Sequence, residues 1–111
     1  MLNQVVIVGR LVAKPIVVEN ENGKKVCAIT LAVPRSFKND EGIYDTDFIK
    51  CILWNSVAEN TAEYCEKGDL IGVKGRLETS VYEKENGEKY RIISVIAEKV
   101  TFLATNKNKE E

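Results

Sequence analysis

Residues 70–84 and 88–103 are two long stretches of β-forming residues on either side of Asn86-Gly87, and this pairing limits the possible folds more than any other feature. Asn-Gly supplies the positive φ angles that a tight hairpin turn requires, so the two stretches read as long antiparallel strands. A chain of 111 residues is one domain's worth. It is long enough to bury a single core without help from metals or disulfides.

The rest of the chain divides in the same way. Val5-Val6-Ile7-Val8-Gly9-Arg10-Leu11 is a β-branched run that reads as a first strand, and Gly9 inside it implies a bulge or a close backbone approach. A short apolar piece, Ile16-Val17-Val18, leads into Glu19-Asn20-Glu21-Asn22-Gly23, where Asn-Gly again marks a turn. Residues 25–33 form a second strand that Pro34 ends. Residues 35–43 are polar and loop-like except for Phe37, and 46–54 make a third strand. Asn55-Ser56 are placed to cap a short helix running to about Glu66, with Glu59 as in a capping box. Ala58, Ala62 and Cys65 share one face of that helix, and Lys67-Gly68 supplies a stop.

Three strands, a short helix and two more strands is the order of the OB-fold, a five-stranded Greek-key barrel. The fold class expected is therefore all-β, with residues 1–104 as the domain and 105–111 as a short flexible tail. A doubly wound α/β fold is excluded, because one helix cannot cover a parallel sheet.

Composition narrows the chemistry. There is no histidine, which removes Ser-His and Cys-His nucleophilic pairs and every His-ligated metal site. Cys27, Cys51 and Cys65 form no C-x-x-C pair and read as small buried hydrophobes rather than as zinc ligands or a disulfide. Asp45 and Asp47, the nearest carboxylate pair, read as turn residues. No enzyme activity, metal or cofactor is expected. No apolar run is long enough to span a bilayer, and the N-terminus lacks the pattern of a secretory signal, so the expected location is cytoplasmic. The net charge of −1 lacks the basic footprint usual for nucleic-acid binding, which turns the question to whether cations are segregated onto one face.

Strand parity answers it. In the third strand Phe48, Lys50, Ile52 and Trp54 share one face, while Ile49, Cys51 and Leu53 share the other. The second set is apolar and lines a barrel. The first interleaves aromatics with a lysine that no core would accept. The fourth strand repeats the pattern, with Lys74, Arg76, Tyr82 and Lys84 on one parity and Ile71, Val73 and Leu77 on the other. Arg10 shares a face with Val6 and Val8, and Phe37 stands between Arg35 and Lys38 with no core to enter. Taken singly, such aromatics also serve to cover a barrel, and such cations decorate ordinary solvated faces. Together they suit single-stranded nucleic acid, whose bases stack on rings while cations hold the backbone.

These residues carry a family resemblance. Asn3 to Leu11, Ile29-Thr30-Leu31-Ala32-Val33, Phe48-Ile49-Lys50-Cys51-Ile52-Leu53-Trp54, Ala58-Glu59 to Tyr64, Lys67-Gly68, Val73-Lys74-Gly75-Arg76-Leu77 and Tyr82 together resemble the bacterial single-stranded DNA-binding proteins over almost the whole chain. The resemblance implies sequence-tolerant binding and protection of single-stranded DNA in replication, recombination or repair. It places base-stacking rings at Phe37, Phe48, Trp54 and Tyr82, and Arg10, Arg35, Lys38, Lys50, Lys74, Arg76 and Lys84 are candidate phosphate contacts. It also implies a homotetramer in which the first strand pairs subunits, and a nucleoid-associated protein.

The chain departs from that pattern in three ways. Trp54 is its only tryptophan. Glu78 and Val81 stand where relatives often carry basic residues. The sequence stops at Asn108-Lys109-Glu110-Glu111, where relatives continue into a linker and an acidic tip, so recruitment of replication proteins by such a tip is not expected. A protein–protein adaptor and an RNA-binding module are the other functions this barrel would suit.

Overall fold

A computed structural model describes residues 1–105; the expected tail, from residue 106 on, lies outside the described residues. The element order is β1 (Val5–Leu11), β2 (Val18–Glu19), β3 (Lys25–Lys38), β4 (Tyr44–Trp54), α1 (Asn55–Tyr64), β5 (Leu70–Glu83) and β6 (Lys89–Ala104). Alternation sorts their side chains. Ile7 and Leu11 of β1, Cys27, Ile29 and Leu31 of β3, Cys51 and Leu53 of β4, Ile71 and Val73 of β5, and Val95 and Ala97 of β6 all turn into one core. Each fully buried aliphatic side chain there contributes about 1.5–3 kcal/mol.

Five strands close on one another in the order β1-β5-β6-β4-β3, and β3 returns to β1 through Arg10↔Ala32 and Leu11↔Leu31. All pairings are antiparallel except β4–β6, which is parallel at Cys51↔Val95 and Ile52↔Ile96. The two-residue β2 is a flap on β3. Two glycines make the closure possible. A Cβ on Gly9 would lie 2.7 Å from the Ala32 carbonyl oxygen, and one on Gly75 would lie 2.0 Å from the Ile96 carbonyl oxygen. Gly9 thus marks a close approach, as expected of a glycine inside a β-branched run. At Lys74/Gly75 the β5–β6 register skips Glu98.

The second strand does not stop at Pro34. It continues to Lys38, Pro34 pairs with Thr46, and the ladder is irregular between Pro34 and Lys38. Proline is tolerated there because β3 past Ala32 has β4 as its one strand neighbour, so an N–H is not required on the open side. The expected loop 35–43 shrinks to a tight turn. Asn39 N–H donates to the Ile43 carbonyl (2.8 Å), the Asn39 side chain accepts from the Glu41 and Ile43 amides, and Gly42 takes φ +80°. Asp45 and Asp47 consequently lie within β4 and are not turn residues. The Asn86-Gly87 turn has the same form, with Lys84 N–H donating to the Glu88 carbonyl at 2.7 Å.

The helix is shorter than expected and capped differently. Trp54 occupies the cap position without a side-chain hydrogen bond. Asn55 adopts φ +53°, and its side-chain oxygen accepts from Lys25 N–H (3.3 Å). Glu59 takes the Lys25 ammonium at 2.6 Å, so both expected capping groups are spent on tethering α1 to β3. At the other end Lys14 donates to the Ala62 and Cys65 carbonyls, a cation placed where the helix dipole favours one. The helix ends at Tyr64, ahead of Lys67-Gly68.

Candidate nucleic-acid interface

Outside the barrel, the strand registers line up side chains in rows. Trp54, Ile52, Lys50 and Phe48 of β4 stand opposite Val26, Ala28, Thr30 and Ala32 of β3. On the other flank Ile52 meets Ile96, and β6 continues the rows into β5 through Ile96↔Arg76, Ser94↔Glu78, Ile92↔Ser80 and Tyr90↔Tyr82. Between these rows runs a groove of about 440 Å³, lined by Lys50, Ile52, Trp54, Glu78, Ser80, Tyr82, Ile92 and Ser94 among others. A second hollow of about 410 Å³ lies on the far side of Trp54, lined by Asn20, Asn22, Lys24 and Asn55.

The four candidate rings are all exposed: Phe37 63%, Phe48 67%, Trp54 38% and Tyr82 49%. The groove brings Trp54, Lys50 and Tyr82 together, and Phe48 is the next outward residue along β4. Phe37 sits apart, in the irregular stretch of β3, with no ring contact among the described residues. Beyond the rungs Arg76↔Ile96 and Leu77↔Val95, where β6 also pairs with β4, the β5–β6 ladder runs out past the barrel as an arm. Leu77 keeps its inward parity at this edge but finds no core, correcting its expected place in the barrel lining.

The candidate cations fall into three groups. Lys50 and Arg76 belong to the rows of the groove. Arg10 and Lys74 lie on the β1–β5 face, where Lys74 is in register with Val6 and Arg10 donates to the Gly68 carbonyl at 3.0 Å. Arg35, Lys38 and Lys84 stand on the two arms. Arg35 grips Asp47 through Nε and Nη2 (3.0–3.3 Å), with Asp45 at 3.8 Å. That hydrogen-bonded pair holds the Asp47 carboxyl below its ordinary value and the Arg35 guanidinium above its own. Arg76 holds Glu78 at 3.0 Å and Glu98 at 3.9 Å.

Parity alone left out two tyrosines. Tyr90 stacks beside Tyr82, centroids 5.9 Å apart and planes 28° from parallel, with the Lys84 ammonium 5.6 Å from the Tyr90 centroid. Tyr44 carries Lys38 at 5.7 Å in the same manner. Counting outward from Asn86-Gly87 would have placed Tyr90 opposite Tyr82.

The cysteines take no part in the face. All three are buried and free, and burial pushes the Cys51 and Cys65 thiols up to about 11. Among the described residues no helix is long and apolar enough to cross a membrane.

A closed five-stranded barrel with its helix between β4 and β5 is an OB-fold, and its outer face is set with exposed rings. The chain belongs to the single-strand binding protein family, which it matches over residues 2–103. It is 47% identical over 103 residues to single-stranded DNA-binding protein B of Bacillus subtilis, covering 93% of this chain and 91% of that protein. It is likewise 47% identical to single-stranded DNA-binding protein A of the same organism and 46% identical to a single-stranded DNA-binding protein of Bacillus cereus. The chain spans 60% and 61% of the lengths of those two.

Proposed function

We propose that this chain binds and protects single-stranded DNA without a sequence requirement, in replication, recombination or repair, and that it performs no catalysis. The observation that carries this reading is the groove that sets Trp54 and Tyr82 around Lys50. Every base has a π-face, so a ring stacks on any sequence for about 1–3 kcal/mol per base. A strand crossing the groove would stack on Tyr82 and Trp54 and continue past Trp54 toward Lys24, with Phe48 and Phe37 as further platforms. Lys50, Lys38 and Lys84 are phosphate contacts beside those rings, and Arg76 is one at the edge of the groove; Arg10, Arg35 and Lys74 serve strand segments passing over the arms and the β1–β5 face. Residues 1–104 form the binding domain.

The assembly we infer is a homotetramer. β1 exposes Val6 (68%) and Val8, and along residues 5–9 its edge away from β5 has no strand partner among the described residues. An apolar, unpaired strand edge of this kind is normally covered. A cytoplasmic, nucleoid-associated protein accords with this reading.

Gel shifts with matched single-stranded DNA, duplex DNA and single-stranded RNA test the binding. Single-stranded DNA is expected to shift at low salt, with log K falling against log salt by about 0.7 for each phosphate contacted. Duplex, whose bases already stack on one another, is expected to bind far less. Preference for RNA, or no shift at all, contradicts the reading.

A further inference from the structure

Two kinds of cation face the proposed strand path. Lys50 has no carboxylate partner among the described residues, whereas Arg76 is held at 3.0 Å by Glu78 and approached at 3.9 Å by Glu98. Glu78 itself lines the groove with Lys50, Trp54 and Tyr82. It cannot swing to the far side of the sheet: residues two apart on a strand share a face, and the ladder from Arg76↔Ile96 to Glu83↔Lys89 is unbroken. Beside the groove, across from its lining residue Ile96, stands an arginine whose guanidinium already holds the carboxylate of a groove residue.

We propose that Glu78 is an intramolecular stand-in for a DNA phosphate on Arg76, so that strand binding proceeds by exchange of carboxylate for phosphate. The inference rests on the single-stranded DNA reading above. A guanidinium presents the same donors to either group. Arg76, Glu78 and Glu98 are all about half exposed, so the pair is held loosely enough to open. When phosphate arrives, Glu78 is released but stays in the groove, bound by the pleat to a place among the incoming phosphates. Arg76 then contributes less than a free cation would, both to affinity and to salt dependence. Glu78 thus acts as a specificity-neutral brake that keeps the bound strand exchangeable.

Fluorescence titration of oligo-dT against the full chain at several salt concentrations tests this, using the unsubstituted protein, Glu78→Gln, Arg76→Gln and the double variant. Glu78→Gln is expected to bind about two- to fivefold tighter at low salt, the size of an exposed ion pair. Its log K against log salt is expected to steepen by about 0.7, one further phosphate. In the Arg76→Gln background the same change is expected to give a clearly smaller gain, from relief of the carboxylate's repulsion alone. Binding by Glu78→Gln that is unchanged or weaker overturns the proposal, because Glu78 then positions Arg76 or stands aside. A gain of equal size without Arg76 also overturns it, since the carboxylate then acts only through its general field. If neither the unsubstituted chain nor Glu78→Gln binds, the functional reading fails and this inference with it; if the unsubstituted chain binds, that reading stands whatever Glu78 does.

Discussion

The two halves of β5 both pair with β6, with a register shift at Lys74/Gly75, yet residues 70–75 and residues 76–83 meet different surroundings. In the first half alternate side chains, Ile71 and Val73, are buried and Gly75 lies against the backbone of β6. In the second half both faces are solvated, and Leu77, Val81 and Tyr82 are exposed large apolar groups. The difference is one of neighbours rather than of composition. The barrel closes over the first half and ends at the rungs of Arg76 and Leu77, and the rest of the second half extends beyond it as an arm. If the proposed strand path is right, stability and DNA binding are separated along a single strand, so substitutions in the two halves should have different readouts.

The largest expected effect is in the buried half. Ile71→Ala removes a fully buried side chain and is expected to lower unfolding free energy by about 2–5 kcal/mol in denaturant titration. Gly75→Ala comes next. Its methyl group would collide with the Ile96 carbonyl, and a loss of about 1–3 kcal/mol is expected in the same measurement. A loss under about 0.5 kcal/mol at either site would erase the distinction between the halves.

Tyr82→Ala, in the solvated half, is expected to leave unfolding within about 0.5 kcal/mol of the parent. Its loss should appear in oligo-dT affinity instead, at about 1–3 kcal/mol. The thiols sharpen the same contrast. Because burial raises Cys51 and Cys65 to about 11, both remain protonated at pH 8, and a disulfide reagent is expected to label them only as fast as the barrel opens. Immediate labelling in the folded state would contradict a closed barrel.

The smallest effect belongs to the arm's ion pair. Asp47 has its carboxyl lowered by the hydrogen bond from Arg35, so whatever the pair contributes is present above the ordinary carboxylate value of 3.8 and is lost as pH falls through the lowered value. Both groups are exposed, and Arg35→Gln is expected to alter the melting temperature only slightly, with the difference from the parent vanishing in acid.

Much of this was legible from residue order. Period-two alternation at 49–54 sorted the inner and outer faces of β4 because that stretch pairs with β3 without a register shift and with β6 at Cys51 and Ile52. Asn86-Gly87 located the longest hairpin, and Gly9 announced a close approach. The misreadings share a physical cause: each depended on what a segment meets in three dimensions. Pro34 does not end β3 because the strand is at an edge there. Asn39-Asp40-Glu41-Gly42 closes a turn through Asn39's side chain, without an Asn-Gly pair to signal it. Asn55 and Glu59 leave the helix uncapped because Lys25 of β3 recruits both. Leu77 has the parity of a core residue, but parity does not say where a barrel ends. In the candidate site the rings were legible as exposed positions; the carboxylates that hold Arg35 and Arg76 became apparent only once register and pleat put them side by side.

The central claim is that bases stack on the groove's rings, and Trp54, the only tryptophan, reports on it directly. Titrating the protein with oligo-dT at low salt while following tryptophan emission is expected to quench the fluorescence to a saturating plateau. Emission that stays constant through a concentration range in which a gel shift shows the DNA to be bound would contradict stacking at Trp54 and the account built on it.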